Sequence, residues 1–531
     1  HAGMVKTPHA PVILDRYAKP FRQATSRTRA DLGQQFADSQ NDGRKQRKLM
    51  ATYDAAGSSD EYKNYWAPAD GLDADSANSY AVRSHLVRRS RYDIANSGYS
   101  DGIAQTYATD LIGIGPTLRM QTGSEGFNRL VELAWASWCK EVQFRRKLWC
   151  LAHAKHQDGE AFGVIRRNPK LKHKVKLDWV LHETEQCQSP YLQYGETGRI
   201  DGMKFDDFGN VEWFEFLAHH PGSNLNGWNQ YGKSEQVPAK FVTHWYKLRR
   251  PGQHRGIPAC ASTLNLGADA RRWRMAVVGA AENIASHTLF IETAFEPDEM
   301  DTVTPMSSIE YQRRMMTALP SGHKAFQPKA EQPTSTHAEF NRSLVSEQSR
   351  PLSMPYNKAA CDSSSYNYAS GRLDHQTYYG HLDVDREDCN DCTLDVMFAV
   401  WFDYAVMAYG WLGGNPDAIG EGARTHIWDW PKHQVADIGT EADAADKKLK
   451  NGSTSIAAEH IAAGMDPEDE LQKEADFYGI DITRLKQIKL LQNMPQHVIP
   501  FVATMFGLES KLPEPVTNTD TQQQQETPAN G

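Results

Sequence analysis

The chain has 531 residues, too long for one hydrophobic core, so roughly two to four structural modules are expected. Hydrophobic residues make up 40% of it and aromatic residues 10%, enough apolar surface to fold. The net charge of −9 argues against a protein that coats nucleic acid, because such binders present basic surface to neutralise phosphates.

Taken in chain order, the start HAGMVKTP shows no signal peptide and makes Met4 the candidate initiator. Residues 1–80 are polar and broken, with a basic RKQRK cluster at 44–48, and read as an irregular surface arm. The stretch 79–112 turns helical and is stopped by Gly113, Gly115 and Pro116; TLRMQT then reads as a strand. A second helix is predicted over 126–140, with Leu130, Leu133, Ala134 and Trp138 on one face, and a third over 146–156. Between 160 and 247 the segments FGVIRR, KVKLDWVLH, GMKFD, VEWFEF and FVTHWYKL read as antiparallel strands, with a tight turn at DFGN. A helix rich in Ala and Gly is expected over 257–286, where small side chains permit close helix approach. Residues 287–333 form a small irregular module. Thr336 and Glu339 have capping-box spacing and start a short helix that Pro351 ends. A loop over 355–365 leads into a helical stretch, interrupted or kinked, over 366–411. Its most apolar part, 396–412, carries Asp403 and reads as buried helix rather than membrane span. Beyond 436 come short, well-punctuated helices. Gly452 ends one, Ser453 caps the next, Gly464 ends that, and Asp466-Pro467 opens another with acids in its first turn. The tail 513–531 is of low complexity and reads as disordered.

Motifs for chemistry are sparse. Seven cysteines without regular spacing read as reduced thiols. CNDC, Cys389 to Cys392, has the C-x-x-C spacing, but no second ligand pair follows and it lies on a helical pattern. His153 and His156 share a helix face with Glu160 four residues on, without an evident third ligand. Gly113-x-Gly115 precedes a strand, the reverse of a dinucleotide fingerprint, and DFGN lacks the other kinase motifs. No catalytic residue, metal or cofactor is therefore expected. A hydrolase with an acidic pair on the 160–247 sheet is the alternative from a different class, to be recognised by converging acids with perturbed pKa values in a deep pocket.

Five segments, in order, resemble the lambda-type portal proteins of tailed bacteriophages over about residues 80–475. They are RSRYDIANSGYSDGIAQTYATDLIGIGPTLRM; FNRLVELAWASWCKE with KHQDGEAFGVIRR; FVTHWYKLRRPGQHRGIPACAST; SSYNYASGR; and WDWP with VADIGTEADAADKKLKNGSTSIAAEHIAAGMDPED. In the last, Ile438 and Gly439 follow Asp437 where the family often has Pro and a basic residue.

The resemblance implies an α+β portal-like subunit. Its arm would be 1–80; its wing, helices then antiparallel strands, 81–255; its first stem helix 256–286; its small clip 287–334; and its second stem helix 335–354. A tunnel loop would follow over 355–365, a long wing helix over 366–414, C-terminal wing and crown helices over 415–512, and the tail over 513–531. It further implies a homo-oligomeric ring of about twelve subunits at a capsid vertex of the virion, assembled in the host cytoplasm. Double-stranded DNA would pass through it during packaging and ejection. The expected partners are the terminase large subunit, the major capsid or scaffold protein and a head-tail connector protein, with no membrane involved. The residues expected to face the channel are Asn357, Lys358, Ser363, Ser364, Ser365 and Asn367 in the tunnel loop and Arg271, Arg272 and Arg274 in the stem, the arginines having as their equal alternative a pairing with acids of the neighbouring subunit. A capsid-associated protein without a channel is the remaining alternative.

Overall fold

The computed structural model describes residues 63–189, 198–224, 233–286, 290–293, 323–326, 336–433, 438–462 and 467–492, together with residues 465 and 502. The 44–48 basic cluster, most of the expected clip, Asp437, Gly464, Asp466 and the 513–531 tail lie outside them. The chain divides into two units, residues 1–72 and residues 73–531. Among its described residues the first contains one short helix, α1 (Lys63–Trp66).

The second unit is α+β. It opens with α2 (Ala74–Ala77), α3 (Tyr80–Asn96) and α4 (Gly98–Ile112). The helical stretch read over 79–112 is two helices, because Ser97 is extended (φ −124°, ψ 113°) and breaks the hydrogen-bond ladder just after Asn96. Strand β1 (Thr117–Met120) pairs antiparallel with a strand some three hundred residues on, described below. Then come α5 (Glu125–Glu141) and α6 (Phe144–Asp158). The buried face of α5 is Val131, Ala134, Trp135 and Trp138; Leu130 and Leu133, expected on it, are more than half exposed. The two tryptophans set the rotation of the helix because they bury the most area.

Strands β2 (Glu160–Arg167), β3 (Leu177–His182) and, later, β8 (Val242–Tyr246) make one antiparallel sheet in the order β3-β2-β8. Strands β4 (Arg199–Ile200), β5 (Met203–Phe205), β6 (Val211–Leu217) and β7 (Ser234–Pro238) make a second, in chain order. Phe162 and Val164 of the first sheet pack on Met203, Phe214 and Phe216 of the second. The DFGN segment is a turn: Asp206 accepts from the backbone N–H of Phe208 and of Asn210, and Gly209 takes φ +87°.

A 3-10 turn (Ala259–Ser262) precedes α7 (Leu264–Ser286), so the helix expected over 257–286 starts later than its sequence suggests. Strands β9 (Phe290–Thr293) and β10 (His323–Phe326) pair antiparallel within the expected clip. Helix α8 (His337–Ser349) begins after Thr336, but Thr336 sits in helical backbone without the expected cap bond. Residues expected to form an open loop contain a helical turn, α9 (Tyr356–Ala360). Helix α10 (Tyr368–Cys389) passes through a π-helical turn, Asn390–Leu394, into α11 (Asp395–Tyr409). This is the interruption read in the sequence. The Ala369–Tyr409 run is long and apolar enough to cross a membrane by composition. However, Met397, Phe398, Trp401, Phe402, Ala405 and Val406 of α11 are buried in the main core, against Trp135, Trp138 and Phe144. Asp403 pairs with Arg424 at 2.8 Å. Strand β11 (His426–Asp429) is the partner of β1.

Helices α12 (Ile438–Lys450), α13 (Ile456–Ala462), α14 (Pro467–Tyr478) and α15 (Ile482–Gln492) complete the described chain. Gly452 (φ +75°) does follow the end of α12, and Pro467 does open α14 with three acids in its first turn. The cap of α13 is Ser455, not Ser453: its hydroxyl accepts from the Ala458 N–H at 3.1 Å.

Candidate channel-facing segment

Two buried locks build the frame, and the second of them reaches the 355–367 segment through Asp110. The first joins the Asp-Gly-Glu of α6–β2 to the Gln-His-Arg-Gly at 253–256. Gly159 has φ +90°, and a Cβ there would lie 2.2 Å from the Ile257 carbonyl carbon; a Cβ on Gly256 would lie 2.2 Å from the Gly159 oxygen. Only glycine permits that approach at both positions. It delivers Arg255 onto Glu160, with Nη2 to Oε1 at 2.6 Å, while the Gly256 N–H donates to Oε2 at 2.9 Å. Thr184 donates to the same carboxylate, and His244 lies 3.0 Å away. Burial alone would raise the Glu160 carboxyl, but Arg255 and the His244 bond hold it well below the usual carboxylate range. Arg255 also donates to the carbonyls of Cys187, Asp201 and Thr184, so both buried charges have their hydrogen-bonding groups satisfied.

The second lock straps α4 to α10. Tyr107, one turn before Asp110, donates to Asp385 at 2.6 Å, and Tyr378, two turns before Asp385, donates back to Asp110 at 3.2 Å. Burial opposes ionisation of Asp385, yet His381, Lys155 and Lys247 keep its carboxyl low. Arg386 satisfies carbonyls at the buried C-terminal end of α4, donating to Leu111 O at 3.0 Å and Asp110 O at 3.3 Å.

The expected tunnel-loop residues divide on this frame. Lys358 is part-buried and its ammonium pairs with Asp110 at 2.9 Å, over the rings of Tyr378 and Tyr379. Asn357 bonds His375 at 2.9 Å. Both are therefore held within the subunit by α4 and α10. Ser363, Ser364 and Ser365 are exposed and form the tip, shaped by the Asp362 carboxylate accepting from the Ser364 N–H at 2.9 Å. Asn367 caps α10 by accepting from the Ser370 N–H at 2.8 Å. Arg342 of α8, which sequence reasoning missed, donates to the Ser365 hydroxyl and lies over the rings of Tyr356 at 4.9 Å and Tyr366 at 5.7 Å. Its only sequence signal was a lone arginine on a short helix.

The three arginines expected in the stem do not converge on one point. Arg272 is exposed and 3.3 Å from its neighbour Asp269. Arg274 lies over the Tyr99 ring at 4.9 Å. Arg271 and Arg274, with Met275, line a groove of about 450 Å³ closed by residues 96–99, Gly102 and 359–361.

The remaining chemical candidates are accounted for within the fold. His156 is buried beside Tyr107, and burial pushes it down to about 3; His153 stacks on Trp149 instead of joining it. Cys389 and Cys392 are free thiols, both pushed up by burial. Glu183, Glu185 and His220 lie close enough together to hold a metal ion. The Arg91 guanidinium already sits among the acids, 3.1 Å from Glu183, 2.8 Å from Glu185 and 2.7 Å from Asp158. It supplies the positive charge that the carboxylates need.

Among solved structures, the chain is similar to the neck of an empty gene transfer agent (GTA) particle computed with C6 symmetry, at 12% identity and TM-score 0.41, over 72% of this chain and 94% of that one. The neck of the native GTA particle computed with C12 symmetry is similar at 12% identity and TM-score 0.38, over the same shares. An HK97 family phage portal protein from Corynebacterium diphtheriae is similar at 13% identity and TM-score 0.24, over 58% of this chain and 86% of that one. No curated protein sequence matches the chain. The family model for phage portal proteins of the lambda family matches residues 62–385, a span that contains both locks and the serine tip: the chain belongs to that family.

Proposed function

We propose that copies of this chain close into a ring of about twelve at one vertex of a phage capsid, and that double-stranded DNA slides through its channel during packaging and ejection. The terminase large subunit would dock on the clip and be replaced there by a head-tail connector protein, with the major capsid or scaffold protein around the wing. The role is structural, without a chemical step. The observation that carries the reading is the build of the 355–367 segment in a chain of this family: an exposed, uncharged serine tip on a rigidly strapped helix. Serine hydroxyls bond phosphate weakly and without sequence preference, while the net charge of −9 per subunit keeps a polyanion from being gripped. Lys358 positions the tip through Asp110, and Arg342 does so through Ser365.

Electron microscopy of the purified chain tests the reading. Rings with a central hole wide enough for a duplex support it. Particles without a hole favour a capsid component lacking a channel, and a stable lone subunit that phage heads do not require overturns it.

A further inference from the structure

The two stem helices leave different faces uncovered. Trp273 of α7 turns toward α8, stacking on His337 at 4.6 Å and edge-on to Phe340 at 4.8 Å. Met275, two residues on, is rotated about 200° around the same helix and projects from the far side. It is 66% exposed, beside Arg271 and exposed Arg272. Around its apolar centre this face carries Arg271 and Arg272, with exposed Asp269 3.3 Å from Arg272 and exposed Glu282 two turns beyond Met275, and the ~450 Å³ groove of Arg271, Arg274, Met275 and Tyr99 opens on it. Arg271 makes no bond among the described residues. On α8, Glu339, Phe340, Ser343 and Glu347 are exposed at helical spacing, with Phe340 at 49% despite its contact with Trp273. This face is acidic around an aromatic centre.

We infer that the outer face of α7 on one subunit receives the outer face of α8 on the next, Phe340 meeting Met275 while Glu339 and Glu347 pair with Arg271 and Arg272. The inference rests on the ring reading above and identifies the stem contact that closes the ring. Two different faces of one chain, complementary in charge and both with an apolar anchor, are what a head-to-tail interface requires; a two-fold interface would need one self-complementary face. The apolar anchors supply the buried area, and the charges set register and exclude the same-face pairing of α7 with α7.

The test is a charge swap in the full chain, scored by mass photometry and negative-stain microscopy. R271E/R272E alone and E339K/E347K alone should each reduce the ring fraction about tenfold or more at fixed protein concentration. The four changes together should restore it. Thermal unfolding should stay close to that of the parent chain in every variant, since the groups are on the surface. If the parent chain forms rings and either double variant forms them equally well, the α7–α8 contact is wrong while the ring reading stands. The contact is also refuted if both lose rings, both remain folded, and the swap fails to restore assembly. If the parent chain forms no rings, the ring reading fails first and this contact falls with it.

Discussion

Replacing Glu160 with glutamine probes the joint between the Asp-Gly-Glu and Arg-Gly motifs. The Glu160 side chain is 0% exposed and that of Arg255 is 2% exposed, so water cannot compensate for the lost charge. The carboxylate accepts from Arg255, Thr184 and the Gly256 N–H and faces His244; an amide would turn its own donors toward some of these. Breaking a buried ion pair from one side costs about 3–5 kcal/mol. Asp201, 3.5 Å from Arg255, offsets part of this and places the expected loss toward the lower end. Urea unfolding followed by tryptophan fluorescence measures it. The control is Glu235→Gln, which removes the exposed partner of Arg166 and should cost about 0–1 kcal/mol. Since the folded Glu160 carboxyl lies well below its unfolded value, its stabilisation is present above the unfolded pKa and is lost as pH falls through the folded one. The parent chain should therefore lose stability on acidification, and Glu160→Gln should lose less of it. A loss below about 1 kcal/mol at neutral pH, or an unchanged acid profile, would refute the account of this lock.

Gly256→Ala should destabilise at least as much as Glu160→Gln, because its Cβ meets backbone on Gly159 that cannot yield; a soluble variant with parental thermal unfolding would contradict this. Tyr107→Phe and Tyr378→Phe should each cost about 1–3 kcal/mol by leaving a carboxylate short of a donor, and unfolding curves should show the larger loss at the more buried Asp385. Arg342→Ala should speed amide exchange across 363–366 with little change elsewhere, as read by hydrogen-exchange mass spectrometry. Lys358→Glu should weaken packaging by placing like charge against Asp110, and adding Asp110→Lys should recover it; recovery would mark Lys358 as a positioning group, whereas continued failure would favour a phosphate contact.

Much of the fold was legible where periodicity and punctuation agree. The antiparallel strands between 160 and 247 and the helix starting at Pro467 show this. The face of α5 was not, because Leu130 and Leu133 fit a helical stripe equally well until Trp135 and Trp138 meet Phe398 and Trp401. The β1–β11 pair could not be read locally, since its partners are held together by the main core rather than by a turn. Within the 355–367 segment the serine tip and the Asn367 cap were visible as residue types. The helical turn at Tyr356–Ala360 and the inward course of Lys358 were not, because both depend on Asp110 and Tyr378, remote in sequence. The short distance from Glu160 to Arg255 was hidden for the same reason, although both flanking glycines were in plain view.

The π turn at Asn390–Leu394 divides the long helix into two halves. Each half keeps one row of side chains inward, but the wider turn shifts the phase of the second row against the first. The tip-bearing half is thereby pegged by polar bolts, and the other half is sunk in aromatic ballast. A force applied at the serines would be carried along one continuous helix into the aromatic core around Trp401.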